Sequence, residues 1–121
     1  MTVKLKLLFL AIFLLLTSCN RDKQLTGRYY LKNDEFGKAL CYRVNTNGDC
    51  VELISNNHFS ALGWDDNYII VQVYPDSYLI VPVYKKFTYF PEKGILGPMN
   101  AKEFNELKEK LKINAHFTIK R

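Results

Sequence analysis

Residues 68–84 read YIIVQVYPDSYLIVPVY: two runs of β-branched and aromatic residues, Tyr68–Tyr74 and Tyr78–Tyr84, either side of Pro75-Asp76-Ser77. Such runs, broken by turn residues, are the signature of paired strands. Alternation puts Ile69, Val71 and Val73 on one face of the first strand and Leu79, Val81 and Val83 on one face of the second. The two aliphatic faces coincide only if the connecting loop has an odd length, and a loop of residues 75–77 places Val73 opposite Leu79. The other face then carries Tyr74 across from Tyr78 and Tyr68 across from Tyr84, with Ile70, Gln72, Ile80 and Pro82 between them. Pro82 has no N–H to donate. Its strand is therefore expected at a sheet edge, or paired only on the side that needs no donor there.

Towards the N-terminus, Gly63–Asn67 reads as a loop, His58–Leu62 as a short strand, and Lys38–Val44 with Cys50–Ser55 as a hairpin. Thr26–Lys32 reads as a first strand after Gly27. Towards the C-terminus, Lys85–Phe90 can continue as strand, and Pro91–Pro98 is a connection. A helix follows with clear punctuation: Asn100 at the N-cap, Glu103 at N3, and Met99 with Phe104 as a hydrophobic staple. Phe104, Leu107 and Leu111 make its single apolar stripe. Ala115–Lys120 is a candidate last strand. These elements predict an α+β fold, an antiparallel β-sheet of about five to six strands with one C-terminal amphipathic helix. The alternative is a small all-β sandwich or barrel with the helix appended.

The first residues carry a different signal. Lys4 and Lys6 precede an unbroken apolar run, Leu7–Leu16, of ten residues. As a helix that run reaches only about 15 Å, against the roughly 30 Å of a hydrocarbon core. A basic start, a short apolar run and small residues form the pattern of a secretory signal. Leu16-Thr17-Ser18-Cys19 resembles the lipobox of bacterial lipoproteins: an aliphatic residue, two small ones and a cysteine. The resemblance implies diacylglycerol on the Cys19 thiol, cleavage before Cys19, and usually acylation of the new amino group, palmitate being a typical chain. The other reading is an ordinary signal with a chance cysteine. The expected organisation is a signal peptide at residues 1–18, a lipidated tether at 19–26 and one globular domain at 27–121. The expected location is the cell envelope, facing the periplasm or the exterior.

A second resemblance covers most of the mature chain. Gly27-x-Tyr29-Tyr30, the run Gly63–Ile70, Tyr78–Val81, and Gly97-Pro98-Met99 leading into the Phe104 helix resemble a family of uncharacterised small lipoproteins. That resemblance implies one folded unit and supplies no activity.

The chain carries a formal charge of +5, and +3 without the signal segment. Residues 44–84 hold five acids and no Lys or Arg, whereas 85–121 hold nine basic and four acidic residues. Such blocks mark a partner surface or reflect the depletion of Lys in buried strands. No basic run has the density expected for nucleic-acid binding, and export argues against that partner. Weak attraction to anionic headgroups fits the charge.

Beyond Cys19, the cysteines are Cys41 and Cys50. A turn centred on Asn47-Gly48, a strong hairpin signal, would set Cys41 opposite Ile54. One centred nearer Asn45-Thr46 would set it opposite Cys50. A disulfide therefore depends on register, and the other outcome is two buried thiols.

Few residues suggest chemistry. His58 or His116 could be drawn with Cys41 or Cys50 as a nucleophile pair, but nothing in the spacing brings them together. Asp65-Asp66-Asn67 lacks the ligand positions of a calcium loop and reads as a turn. Glu103 and Glu106 alternate with lysines on a solvated helix face. No catalytic residue, metal or cofactor is expected. The candidate interaction surface is the tyrosine face, Tyr68, Tyr74, Tyr78 and Tyr84, joined by Trp64; it is open if the helix covers the aliphatic face and closed if the helix packs on the tyrosines. These features point to a non-enzymatic, membrane-anchored binding module, inhibitor- or immunity-like in one version, for a protein or envelope ligand. The alternative is a small extracytoplasmic hydrolase or metal-dependent enzyme with a histidine beside Asp or Cys.

Overall fold

The computed structural model describes residues 22–34, 37–55 and 59–120. Residues 1–21, with the signal segment and Cys19, and His58 lie outside this set. In chain order the elements are β1 (Lys23–Thr26), β2 (Tyr29–Asp34), β3 (Gly37–Arg43), β4 (Cys50–Ile54), β5 (Phe59–Trp64), β6 (Tyr68–Val73) and β7 (Ser77–Pro82). A 3-10 turn at Pro91–Gly94 leads to β8 (Leu96–Met99), the helix α1 (Ala101–Lys110) and β9 (Ile119–Lys120).

Among the described residues the architecture is α+β, with two antiparallel sheets and one helix, and the expectation of a single sheet of five to six strands is corrected. There are two sheets, β1-β2-β3-β4 and β8-β7-β6-β5-β9. The reason lies in β6, where Ile69, Ile70 and Val71 are all fully buried. A strand apolar on both faces needs a layer on each side. One ten-residue helix covers one side, so the first four strands cover the other. Leu25, Tyr29, Leu31, Leu40, Tyr42 and Ile54 of the first sheet share a core with Phe59, Leu62, Ile69, Val71 and Val81 of the second. On the far side of the second sheet, Ile70 and Ile80 pack with Phe104, Ile113 and Ala115.

The β6–β7 hairpin keeps the expected faces but not the expected partners. Val71 pairs with Leu79 and Val73 with Ser77. The three-residue turn is thus 74–76, one position earlier than 75–77. A slip of two residues leaves every side chain on its face, so hydrophobic alternation does not distinguish the two registers. Strand β7 is internal, lying between β6 and β8. Pro82 is its last residue and faces Tyr68, while pairing with β8 runs only from Tyr78 to Ile80. Pro82 is thus tolerated because no neighbour asks it for a donor.

Three further segments differ from expectation. Lys23–Thr26, read as tether, is strand β1 and buries Leu25. Lys85–Phe90 forms no strand, and the Pro91–Pro98 connection contains β8. The helix start is as read: the Asn100 side chain accepts from the Glu103 N–H at 2.8 Å, and the Glu103 carboxylate accepts from the Asn100 N–H at 3.5 Å.

Candidate interaction surface

The tyrosine face is largely closed by the helix. Tyr78 stacks on Phe104 with ring centroids 4.6 Å apart, and Phe117 completes the cluster at 5.9 Å from Phe104. Tyr68 packs against the same group. The apolar stripe of α1 goes there because the aliphatic face is already taken by the first sheet. Tyr74 sits in the 74–76 turn and is 73% exposed. Tyr84 lies beyond β7, its hydroxyl against Gly94 in the space a Cβ would fill. Trp64 is half-buried beside the shared core, with the Lys23 ammonium 5.3 Å from its ring centre. The five residues therefore do not form one surface; of the two outcomes the sequence left open, the helix packs on the tyrosines and Tyr68 and Tyr78 belong to a second core layer.

Cys41 and Cys50 form a disulfide with their Cα atoms 5.6 Å apart. Arg43 pairs with Cys50 and Cys41 with Glu52, so the bridge runs diagonally between neighbouring pairs. The turn is centred between the two positions considered from the sequence. Asn45 sets it: its side-chain oxygen accepts from the N–H groups of Asn47 and Asp49, and its amide donates to the Asp49 carboxylate at 2.8 Å. Gly48, at φ +94°, takes the left-handed conformation in this longer loop.

The most exposed aromatic group is in the segment after β7. Of the six large apolar residues that stand exposed among the described residues, three are here: Phe87 at 39%, Tyr89 at 81% and Phe90 at 55%. The segment is irregular but fastened. The Tyr29 hydroxyl donates to the Pro82 carbonyl at 3.0 Å and accepts from the Tyr84 N–H at 3.4 Å. The Tyr42 hydroxyl accepts from the Thr88 N–H at 3.0 Å, and the Thr88 hydroxyl accepts from the Phe90 N–H. Edge-to-face contacts at 5.2 Å (Tyr29–Tyr42) and 4.9 Å (Phe87–Tyr89), with Tyr42 6.1 Å from Phe87, carry a line of rings from core to solvent. Cations flank it. The Arg28 guanidinium lies 4.9 Å from the Phe87 ring centre and the Lys93 ammonium 4.4 Å from that of Phe90. Lys85 donates to the Asp66 carbonyl, and Lys86 is exposed. Reading 85–90 as strand hid this group; the sequence signal for it is the Lys85-Lys86 pair directly before three aromatics with no aliphatic residue among them.

Asp65 is structural. Its carboxylate accepts from the N–H groups of Asn67 and Tyr68, and from that of Asn114 forty-nine residues away. Burial pushes its carboxyl up, but the backbone donors of Asn67, Asn114, Tyr68 and Ala115 outweigh this and hold it below the usual range. Burial likewise pushes the Tyr29 hydroxyl up. His116 is exposed. Among the described residues, no three His, Cys, Asp or Glu side chains gather as a metal site would require.

No known family model, curated protein or solved structure matches the chain. The lipobox resemblance rests on Leu16–Cys19 alone.

Proposed function

We propose that the protein is a lipid-anchored, non-enzymatic interaction module of the cell envelope, tethered through Cys19 and folded outside the cytoplasm. The observation that carries this reading is the placement of Leu16-Thr17-Ser18-Cys19 directly before the fold: strand β1 begins at Lys23. Three residues from Cys19 to Asp22 span at most about 10 Å. Acylation at Cys19 would therefore press the domain against the membrane. A disulfide closing the β3–β4 hairpin suits an oxidising compartment. For the hydrolase alternative, Cys41 and Cys50 offer no thiolate while bonded to each other.

The test is metabolic labelling with an alkynyl palmitate in cells expressing the chain, with Cys19→Ala as control, followed by membrane fractionation. Label and membrane association that vanish together in the variant support the anchor. An unlabelled chain that fractionates as soluble overturns it. In-cell cross-linking of the labelled protein would then report what it meets.

A further inference from the structure

We infer that the aromatic-cationic end of the molecule, Arg28, Lys85, Lys86, Phe87, Tyr89 and Phe90, is a docking surface for an anionic lipid bilayer. Anchoring through Cys19, as proposed above, is what brings this surface within reach of headgroups, and the docking rests on it.

The composition favours a bilayer interface. Rings that are apolar in body, beside Lys and Arg whose stems snorkel, settle at the headgroup level. Here the exposed large apolar side chains are all aromatic, and the exposed Arg28 and Lys93 lie over the Phe87 and Phe90 rings. Residues 84–93 hold three lysines against one acid, Glu92. Of the neighbouring acids, Asp65 is engaged inwards on backbone N–H groups, while Asp66 is exposed and its backbone carbonyl takes the Lys85 ammonium. The turn at residues 74–76, the other place where a large ring stands out, carries Asp76 and no cation. An anionic surface would repel it.

The anchor and the patch also share one continuous surface. Asp22 pairs with Arg43 at 3.8 Å, and the Arg43 guanidinium lies over Tyr30. Arg28 donates to the Arg43 carbonyl and lies over Phe87. A lipid three residues before Asp22 thus leads, through two arginines, to the exposed rings. The acyl chains hold the domain at the surface, and a cationic patch adds attraction to anionic headgroups that sets which face the domain turns towards them. The hydrogen bonds from Tyr29 and Tyr42 hold the segment ready, so little ordering is needed on contact.

The experiment is vesicle flotation of the unlipidated chain from Asn20 onward, which retains all the described residues. Phosphatidylglycerol-rich vesicles should carry it, phosphatidylcholine vesicles should not, and added salt should release it. Removing one cation, as in Lys86→Ala or Lys93→Ala, should weaken binding about fivefold. Tyr89→Ala with Phe90→Ala should weaken it about tenfold or more through lost apolar burial. Both sites are exposed, and an unchanged melting curve by circular dichroism confirms a folded variant. No flotation, equal flotation on both vesicles, or variants that float like the wild type would overturn the proposal. So would Tyr89 and Phe90 proving necessary for a cross-link to an envelope protein while vesicles go unbound. Palmitate labelling is read separately: labelling without vesicle binding sinks the docking surface alone, and binding without labelling sinks the anchor alone.

Discussion

Asp65 joins two distant parts of the chain through one carboxylate. Its oxygens satisfy the 65–67 loop and the Asn114 N–H at 2.9 Å, so the segment after α1 is tied to the turn before β6. Because its folded carboxyl lies below the ordinary carboxylate value, about 3.9, the stability it supplies is present above that pH. That stability is lost as pH falls through the folded value. Asp65→Asn should lower stability at neutral pH by about 1–3 kcal/mol, the usual result of losing charge-assisted hydrogen bonds. It should also flatten the decline below about pH 4. Urea titrations of both proteins across pH 3–7 would check this; parallel pH profiles would refute it. Asp65-Asp66-Asn67 is legible in the sequence as a turn because Asp and Asn bond their own neighbouring backbone. The bond to Asn114 is not legible, since nothing local marks a partner that far along the chain.

The β3–β4 hairpin shows how much a pattern carries at the scale of elements. Its strands are where the apolar runs put them, but a signal of two residues, Asn47-Gly48, is overruled by the Asn45 side chain, which organises a longer loop. The diagonal disulfide closes a segment of sequence separation nine. Replacing Cys41 and Cys50 together by alanine should lower stability by about 2–3 kcal/mol in the loop-entropy account, measured as a shift in the urea midpoint. The helix is the opposite case, because its start is built from contacts three residues apart. Asn100→Ala should lower stability by about 1 kcal/mol through the lost cap. A loss near zero in thermal unfolding would mean that packing of Phe104 alone holds the helix.

At the scale of the whole molecule, three layers meet on β5 and β6. Gly63 lies where β5 passes the segment before β9, and a Cβ there would overlap the His116 carbonyl oxygen. Gly63→Ala should force the backbones apart and lower stability by about 1–3 kcal/mol, with the fluorescence of adjacent Trp64 as a direct probe of unfolding. The chain's local chemistry determined the strands on either side of 74–76, which of their residues share a face, and the capped helix. Each of these depends on residues within a few positions of one another. Tertiary structure alone decided that the strands divide into two sheets and that the helix takes the tyrosine face. It also decided the two-residue slip in register and the exposure of the rings at 87–90. Those outcomes turn on which apolar face finds which cover. That is a competition among segments distant in sequence, and periodicity, blind to partners and to slips of two, does not record its result.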